Sequence, residues 1–381
     1  MCLWEKMMTN KEKAIEIFRL LEEKHINLYH NISKNDFQNE LNKFLKFADK
    51  LDDIHFDAEM SKLFSLFKDA HTMYQIKDKY IEKCIKLINA KYYFYDVEQK
   101  ICEEIVMVND IDFKIVYKKL KKIIQYDAET WADFMIAFKL RGLKHLQMID
   151  CENKKDVNEI KYTLKSGKEI TKVYKERAFN MPLNYSFILT EDNILKINYL
   201  KCREMENYSF KQFIEDIKKK CKILPHACLI DVRKNDGGSD SVVKPLFDWL
   251  KENKIKTYGL MNEGVFSSGT FTLLDMKKEL NAILIGTEAG QAAHAYGNIK
   301  WINVDDKNFS YCTRYFNRTT IDTKQKVKPY PMDNIINYLG PIKPDIYLEE
   351  KIEDVKLGID GQLRDCIEII KQDLKKEKIL E

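Results

Sequence analysis

The sequence predicts an α/β protein in which a helical N-terminal region precedes a mostly parallel sheet, and three observations predict it. Apolar residues recur at helical spacing through the first 70 residues. Beyond about residue 156 the pattern turns to two-residue alternation, and from residue 210 apolar runs alternate with helical segments. Strands alternating with helices of about ten residues build parallel sheets with crossover helices. Such sheets place their sites beyond the carboxyl ends of the strands.

Thr9-Asn10-Lys11-Glu12 has the form of a capping box ahead of Ala14, Ile17, Phe18 and Leu21. Ser33 to Asp36 offers a similar start before Phe37, Leu41 and Phe44. Asp57 is expected to cap a third helix carrying Met60, Leu63, Phe64 and Phe67. That helix closes in Asp69-Ala70-His71-Thr72, and residues 1–75 are expected to form an N-terminal helical domain. Residues 76–155 mix strand-like runs, Tyr92 to Tyr95 and Ile105 to Asp110, with helices near 113–124 and 128–140. They are read as a separate middle module, with core packing rather than chemistry as their role.

Residues 156–381 form the third expected unit. Ser166-Gly167-Lys168 and Glu191-Asp192-Asn193 each join two alternating runs as hairpins. Then come helix 210–221, strand 227–232, helix 241–250, strand 256–261, helix 271–280, strand 282–286 and a hairpin over 300–312.

Composition excludes some functions. With 45% apolar residues the chain is globular, and a net charge of +4 gives no electrostatic case for nucleic acid. No run of about 18 apolar residues is present to span a bilayer, and the charged opening Met1 to Met8 does not read as a signal peptide. The nine cysteines include no C-x-x-C pair, so neither a zinc site nor a disulfide framework is expected. A reduced, cytoplasmic protein without metal or cofactor is the expectation, with its oligomeric state open.

Three loops follow apolar strands. The first, after Leu229-Ile230-Asp231-Val232, is Arg233-Lys234-Asn235-Asp236-Gly237-Gly238-Ser239, whose paired glycines let backbone N–H groups approach a ligand. The second is Val265-Phe266-Ser267-Ser268-Gly269-Thr270. A serine between a strand end and a helix N-terminus is exposed beside free N–H groups that stabilise an anion, although a plain N-cap has the same sequence. The third is Gly286-Thr287-Glu288-Ala289-Gly290-Gln291-Ala292-Ala293-His294.

This order of motifs, continued by Lys343-Pro344-Asp345-Ile346 and Gly358-Ile359-Asp360-Gly361-Gln362-Leu363, resembles the tail-specific, C-terminal-processing serine peptidases. Asp69-Ala70-His71-Thr72 is similar to the Asp-Gly-His-Thr element of their tricorn-like and interphotoreceptor-retinoid-binding-protein-like branch. The resemblance implies a ClpP/crotonase-like core, a middle region that is a degenerate PDZ-like or helical lid module, and a peptide or protein substrate. It implies Ser267 as nucleophile, Ser268 if the register slips by one, and an oxyanion hole from the N–H groups of Gly238 and Ser268. The family lysine is absent at Gly290-Gln291-Ala292-Ala293, so a Ser–Lys dyad is not expected and a histidine is required as base. His71 is the first candidate, His294 the second, and Asp69 could polarise His71 or simply cap its turn. The orienting glutamate of the tricorn branch is not evident among Asn334, Ile336, Asn337 and Tyr338. Asp231 and Arg233 are expected to brace their loop. The expected activity is serine peptidase chemistry through an acyl-enzyme. The alternatives are an inactive relative that binds a peptide or apolar ligand, and an acyl-CoA enzyme on the same core.

Overall fold

The computed structural model describes residues 8–174, 183–316 and 340–377. Three helices open it: α1 (Asn10–Lys24), α2 (Lys34–Leu45) and α3 (Asp53–Ser65). Thr9 and Glu12 form the reciprocal capping box, and Ser33 caps α2. The third cap is corrected: Asp52, not Asp57, receives the His55 N–H. Asp57 lies one turn inside α3, buried, where it accepts from the Tyr74 hydroxyl at 2.6 Å. An aspartate within a helix can serve tertiary partners, and the earlier Asp52-Asp53 pair takes the capping role.

The middle region carries β1 (Ile85–Ile88), β2 (Lys91–Asp96), β3 (Ile101–Val108), β4 (Ile111–Asp112), α4 (Phe113–Lys121), α5 (Glu129–Lys139) and α6 (Leu143–Gln147). The hairpin β5 (Glu159–Leu164) and β6 (Glu169–Val173) then joins the same sheet, in the order β1-β2-β3-β5-β6 with β4 beside β3. Every pairing is antiparallel. The region is therefore a sheet with helices on it rather than a helical lid. It also runs past the expected boundary at 156, because β5 pairs with β3 (Val108 opposite Tyr162) and not with the later sheet.

The second sheet comprises β7 (Tyr185–Leu189), β8 (Ile194–Tyr199), β9 (Ala227–Asp231), β10 (Lys256–Met261) and β11 (Ile283–Gly286). Two further strands, β12 (Ala295–Val304) and β13 (Lys307–Phe316), form a separate hairpin, and β14 (Ile346–Tyr347) closes the second sheet, whose order is β14-β11-β10-β9-β8-β7. Only the β7–β8 pairing is antiparallel; the other four are parallel. Alternate residues of each strand face opposite layers. Cys228, Ile230 and Met261 pack toward α7 (Phe210–Lys220), α8 (Lys244–Glu252) and α9 (Ser268–Leu280). Ala227, Leu229, Tyr258 and Leu260 pack toward Cys366, Ile370 and Leu374 of the last helix. Short α10 (Ile352–Lys356) precedes that helix, α11 (Gly361–Lys376).

The motif Lys343-Pro344-Asp345-Ile346 enters β14, with Asp345 accepting the Leu284 N–H at 2.8 Å. Asp360 caps α11 and, with Asp231, clamps the Arg233 guanidinium at 2.7 Å from each, so that pair braces the first loop as expected.

The N-terminal helices do not stand alone. Phe18, Phe56 and Phe64 share one core with Tyr74, Val304 and Phe309, so the β12–β13 hairpin completes their apolar cluster. The segment after α3 pairs onto β13, with Ser310 N–H donating to Met73 O and Gln75 N–H to Asn308 O. This docking carries the His71 turn toward the second sheet. Among the described residues no helix is long and apolar enough to cross a membrane.

Candidate active site

Strands β9, β10 and β11 are adjacent and parallel, so the three motif loops leave the same edge of the sheet side by side. In the second loop Ser267 precedes α9 with φ 55° and ψ −127°, a conformation that costs an L-residue on the order of 1–3 kcal/mol. Its side chain makes no capping hydrogen bond, so the plain N-cap reading does not hold for it. Ser268 is different: its hydroxyl donates to the Gly238 carbonyl at 2.8 Å. Of the two serines, Ser267 has the uncommitted hydroxyl.

The first loop lies against this turn. A Cβ placed on Gly237 would stand 2.6 Å from Ser267 Cβ, 3.0 Å from its Oγ and 2.9 Å from Ser268 N, so a side chain there is sterically impossible. Gly238, at φ 133°, would bring a Cβ within 2.2 Å of the Cys202 carbonyl. Cys202 N–H donates to Gly237 O and Ser239 N–H to Cys202 O, which bypasses the N–H of Gly238. Ser268 N–H, in the first turn of α9, has no intrahelical acceptor. Among the described residues neither of these N–H groups has a protein acceptor. Asn235 ties the two loops: its carbonyl accepts Phe266 N–H at 2.8 Å, its amide donates to Tyr199 O and its Oδ1 accepts Gly237 N–H.

The third loop supplies a residue to which the sequence reading gave no role. Gln291 is fully buried, and its Oε1 accepts the Ser267 N–H at 2.8 Å. Its Nε2 donates to Asp127 Oδ2 at 2.8 Å and faces His71 Nδ1 at 3.2 Å. His71 thus lies near the serine turn, with the Gln291 carboxamide between its ring and Ser267. No hydrogen bond joins Ser267 Oγ to His71 among the described residues. The imidazole also stacks on Phe266 at 4.6 Å, and Phe266 stacks on Trp131 at 4.1 Å. Burial lowers the His71 pKa, against the pull of Asp69 and a hydrogen bond to the Tyr296 backbone.

Asp69 caps the turn, and among the described residues no hydrogen bond joins its carboxylate to the His71 ring. Its Oδ1 accepts the His71 backbone N–H at 2.9 Å, and its Oδ2 accepts from Thr72 at 2.6 Å. His25 Nε2 and Cys312 Sγ each lie 3.2 Å from the same Oδ2. Burial alone would raise this carboxyl, but the His25 bond, the nearby His71 and the Thr72 bond hold it well below its ordinary value. His25, Asp69 and Cys312 place three potential metal-ligand atoms within 4.8 Å of one another. The Asn27 N–H, however, donates to His25 Nδ1 at 3.0 Å, which puts the neutral ring's proton on Nε2, the nitrogen a metal would need. The geometry is that of a hydrogen-bonded brace.

His294, the second candidate base, is completely buried rather than at a loop surface, and burial lowers its pKa to about 4. Asp127 was given no role from the sequence. Its side chain bonds Gln291 rather than capping α5, and its Oδ1 is buried without a hydrogen-bond partner among the described residues. Burial raises its pKa to about 7, with Asp69 adding to the rise. Asn334, Ile336, Asn337 and Tyr338 lie outside the described residues.

No family model matches the chain, and no curated protein does. Solved structures do. Mature CPAF aligns over 93% of this chain and 96% of its own, with 13% identity and a TM-score of 0.63. CPAF complexed with lactacystin aligns over 96% and 99%, with 13% identity and a TM-score of 0.65. The photosystem II C-terminal processing protease aligns over 93% and 99%, with 11% identity and a TM-score of 0.48. At these identities the likeness is one of fold: this chain has the mixed α/β architecture of CPAF over nearly its whole length. The resemblance read from the motifs is supported at that level.

Proposed function

We propose that the chain is a serine peptidase that cleaves peptides or protein tails through an acyl-enzyme, on a ClpP/crotonase-like core. Ser267 attacks the carbonyl, the N–H groups of Gly238 and Ser268 hold the tetrahedral oxyanion, and His71 takes and returns the proton. The observation that carries this reading is the serine turn itself. A residue in a costly backbone conformation presents an uncommitted hydroxyl, and two N–H groups without protein acceptors flank it. An oxyanion-hole donor of this kind contributes about 3 kcal/mol to the transition state. For proton transfer, Gln291 must shift so that a ring nitrogen of His71 meets Ser267 Oγ, a tightening that binding of substrate can drive. CPAF, solved with lactacystin bound, supports ligand binding on this architecture.

A library of peptides with free and blocked C-termini tests the reading. The expected result is hydrolysis with a pre-steady-state burst that disappears in Ser267→Ala. Hydrolysis that persists in that variant would remove Ser267 from the chemistry.

One observation favours a second reading. His71 Nδ1 is bonded to Gln291 and not to the serine, as in a protein that keeps the scaffold and binds peptide without cutting it. Saturable peptide binding to the wild-type chain without turnover would establish that alternative.

A further inference from the structure

The Gln291 carboxamide has its orientation dictated by its surroundings. A backbone N–H can only donate, so the atom facing Ser267 N at 2.8 Å must be the carboxamide oxygen. The NH₂ group then faces Asp127 Oδ2 at 2.8 Å and His71 Nδ1 at 3.2 Å, two hydrogens for two acceptors. Flipping the amide would set N–H against N–H at Ser267 and leave no donor for His71 Nδ1 in its unprotonated form. With Nδ1 accepting, the neutral His71 ring carries its proton on Nε2, and a hydrogen bond to the Tyr296 backbone also engages the ring.

We propose that Gln291, held by Asp127, is a positioning residue that sets the tautomer and protonation state of His71, and so the conditions under which Ser267 can be activated. A proton arriving at Nδ1 meets the amide N–H and is disfavoured until the carboxamide moves. Asp127 acts one step further out, as the acceptor that keeps the NH₂ group turned toward the ring. It sits just before α5, whose Thr130 hydroxyl also binds the Ala289 carbonyl at 2.8 Å, so the middle module reaches the site through this contact. The inference deepens the peptidase reading, since it concerns the same site, yet the state of His71 can be measured without any hydrolysis.

The titratable groups around the ring come from several elements. Asp69 lies on its own turn and His25 at the end of α1; Asp127 precedes α5, and Cys312 is on β13. Only Asp127 communicates through Gln291. His25, Cys312 and the Thr72 hydroxyl bind the far side, on Asp69.

The test is nitrogen NMR of the full chain labelled at its histidine rings, with His71→Gln assigning the signal. The wild-type ring is expected to be the neutral Nε2–H tautomer at pH 7. Gln291→Glu, which turns a carboxylate oxygen toward Nδ1, should protonate that nitrogen and raise the His71 pKa by at least about one unit, tenfold in proton affinity. Gln291→Met keeps the shape and removes the donor, so the ring should then populate both tautomers. This second variant serves if the buried carboxylate of the first prevents folding. Asp127→Asn, which still offers an acceptor, should preserve the wild-type tautomer, whereas Asp127→Ala should not. A wild-type ring protonated on Nδ1 overturns the proposal, as does an unchanged tautomer and pKa across both Gln291 variants. If the NMR outcome holds while Ser267 proves inert, the peptidase reading fails and this assignment stands.

Discussion

The serine turn and the histidine turn face each other across Gln291, and they are built in opposite ways. At the histidine turn the Asp69 carboxylate collects donors from Thr72, His25, Cys312 and the His71 backbone, and the strand pairing of Met73 and Gln75 pins the chain that follows. At the serine turn the backbone is strained, one hydroxyl makes no cap and, among the described residues, two N–H groups lack protein acceptors. A fully satisfied network rigidifies, whereas donors without a partner can take a ligand's oxygen. On the proposed reading the difference separates stability from chemistry: one turn would hold the base in place, and the other would leave its polar groups for substrate.

Changes on each side should therefore fail in different ways. The largest effect is expected at Asp69. Asp69→Ala strands buried donors on His25 and Thr72 and should lower unfolding stability by about 3–5 kcal/mol, read by denaturant titration. A loss below about 1 kcal/mol would mean the turn is not the brace described. Next is Gly238→Ala, whose Cβ has only 2.2 Å to the Cys202 carbonyl and whose φ is left-handed. It should cut any turnover about 100-fold by displacing an oxyanion donor, with a smaller loss of stability; activity unchanged at that position would discard the donor.

Ser268→Ala removes one hydroxyl bond to Gly238 but keeps its N–H. A change of about 1 kcal/mol in stability and less than tenfold in turnover is expected. A larger kinetic loss would move the nucleophile to Ser268. A pH dependence is expected as well. Asp127 is neutral in the folded chain up to about pH 7 but ionises near pH 4 when unfolded, so the folded state binds the extra proton. Its contribution to stability should fall as pH rises from about 4 to about 7 and level off above. Asp127→Asn should flatten that part of the pH–stability curve, and an unaltered slope would place the carboxyl in contact with water.

Much of the second sheet was legible because its strands and helices are long enough to show their periods. Ala227 to Val232 reads as a buried strand, and two glycines at its end read as a loop that approaches something closely. Ser267 was legible from its place between a strand and a helix. Less could be read where function depends on contacts across distant segments. Asp127 and Gln291 are 164 residues apart, and neither lies in a pattern that announces the other. Asp69 could be read as cap or polariser from spacing alone, and only the positions of His25 and Cys312, from α1 and β13, decide that it braces. The β5–β6 hairpin was legible as a hairpin, but its pairing with β3 was not, since alternation reveals which face is buried and not which neighbour pairs.

The proposed chemistry rests on the Ser267 hydroxyl as the reactive group. Treatment of the folded chain with a fluorophosphonate, followed by peptide mapping, tests it most directly. The account predicts a single adduct on Ser267 that is lost on unfolding and absent in Ser267→Ala. A folded chain that acquires no adduct there, or acquires it on another residue, would contradict it.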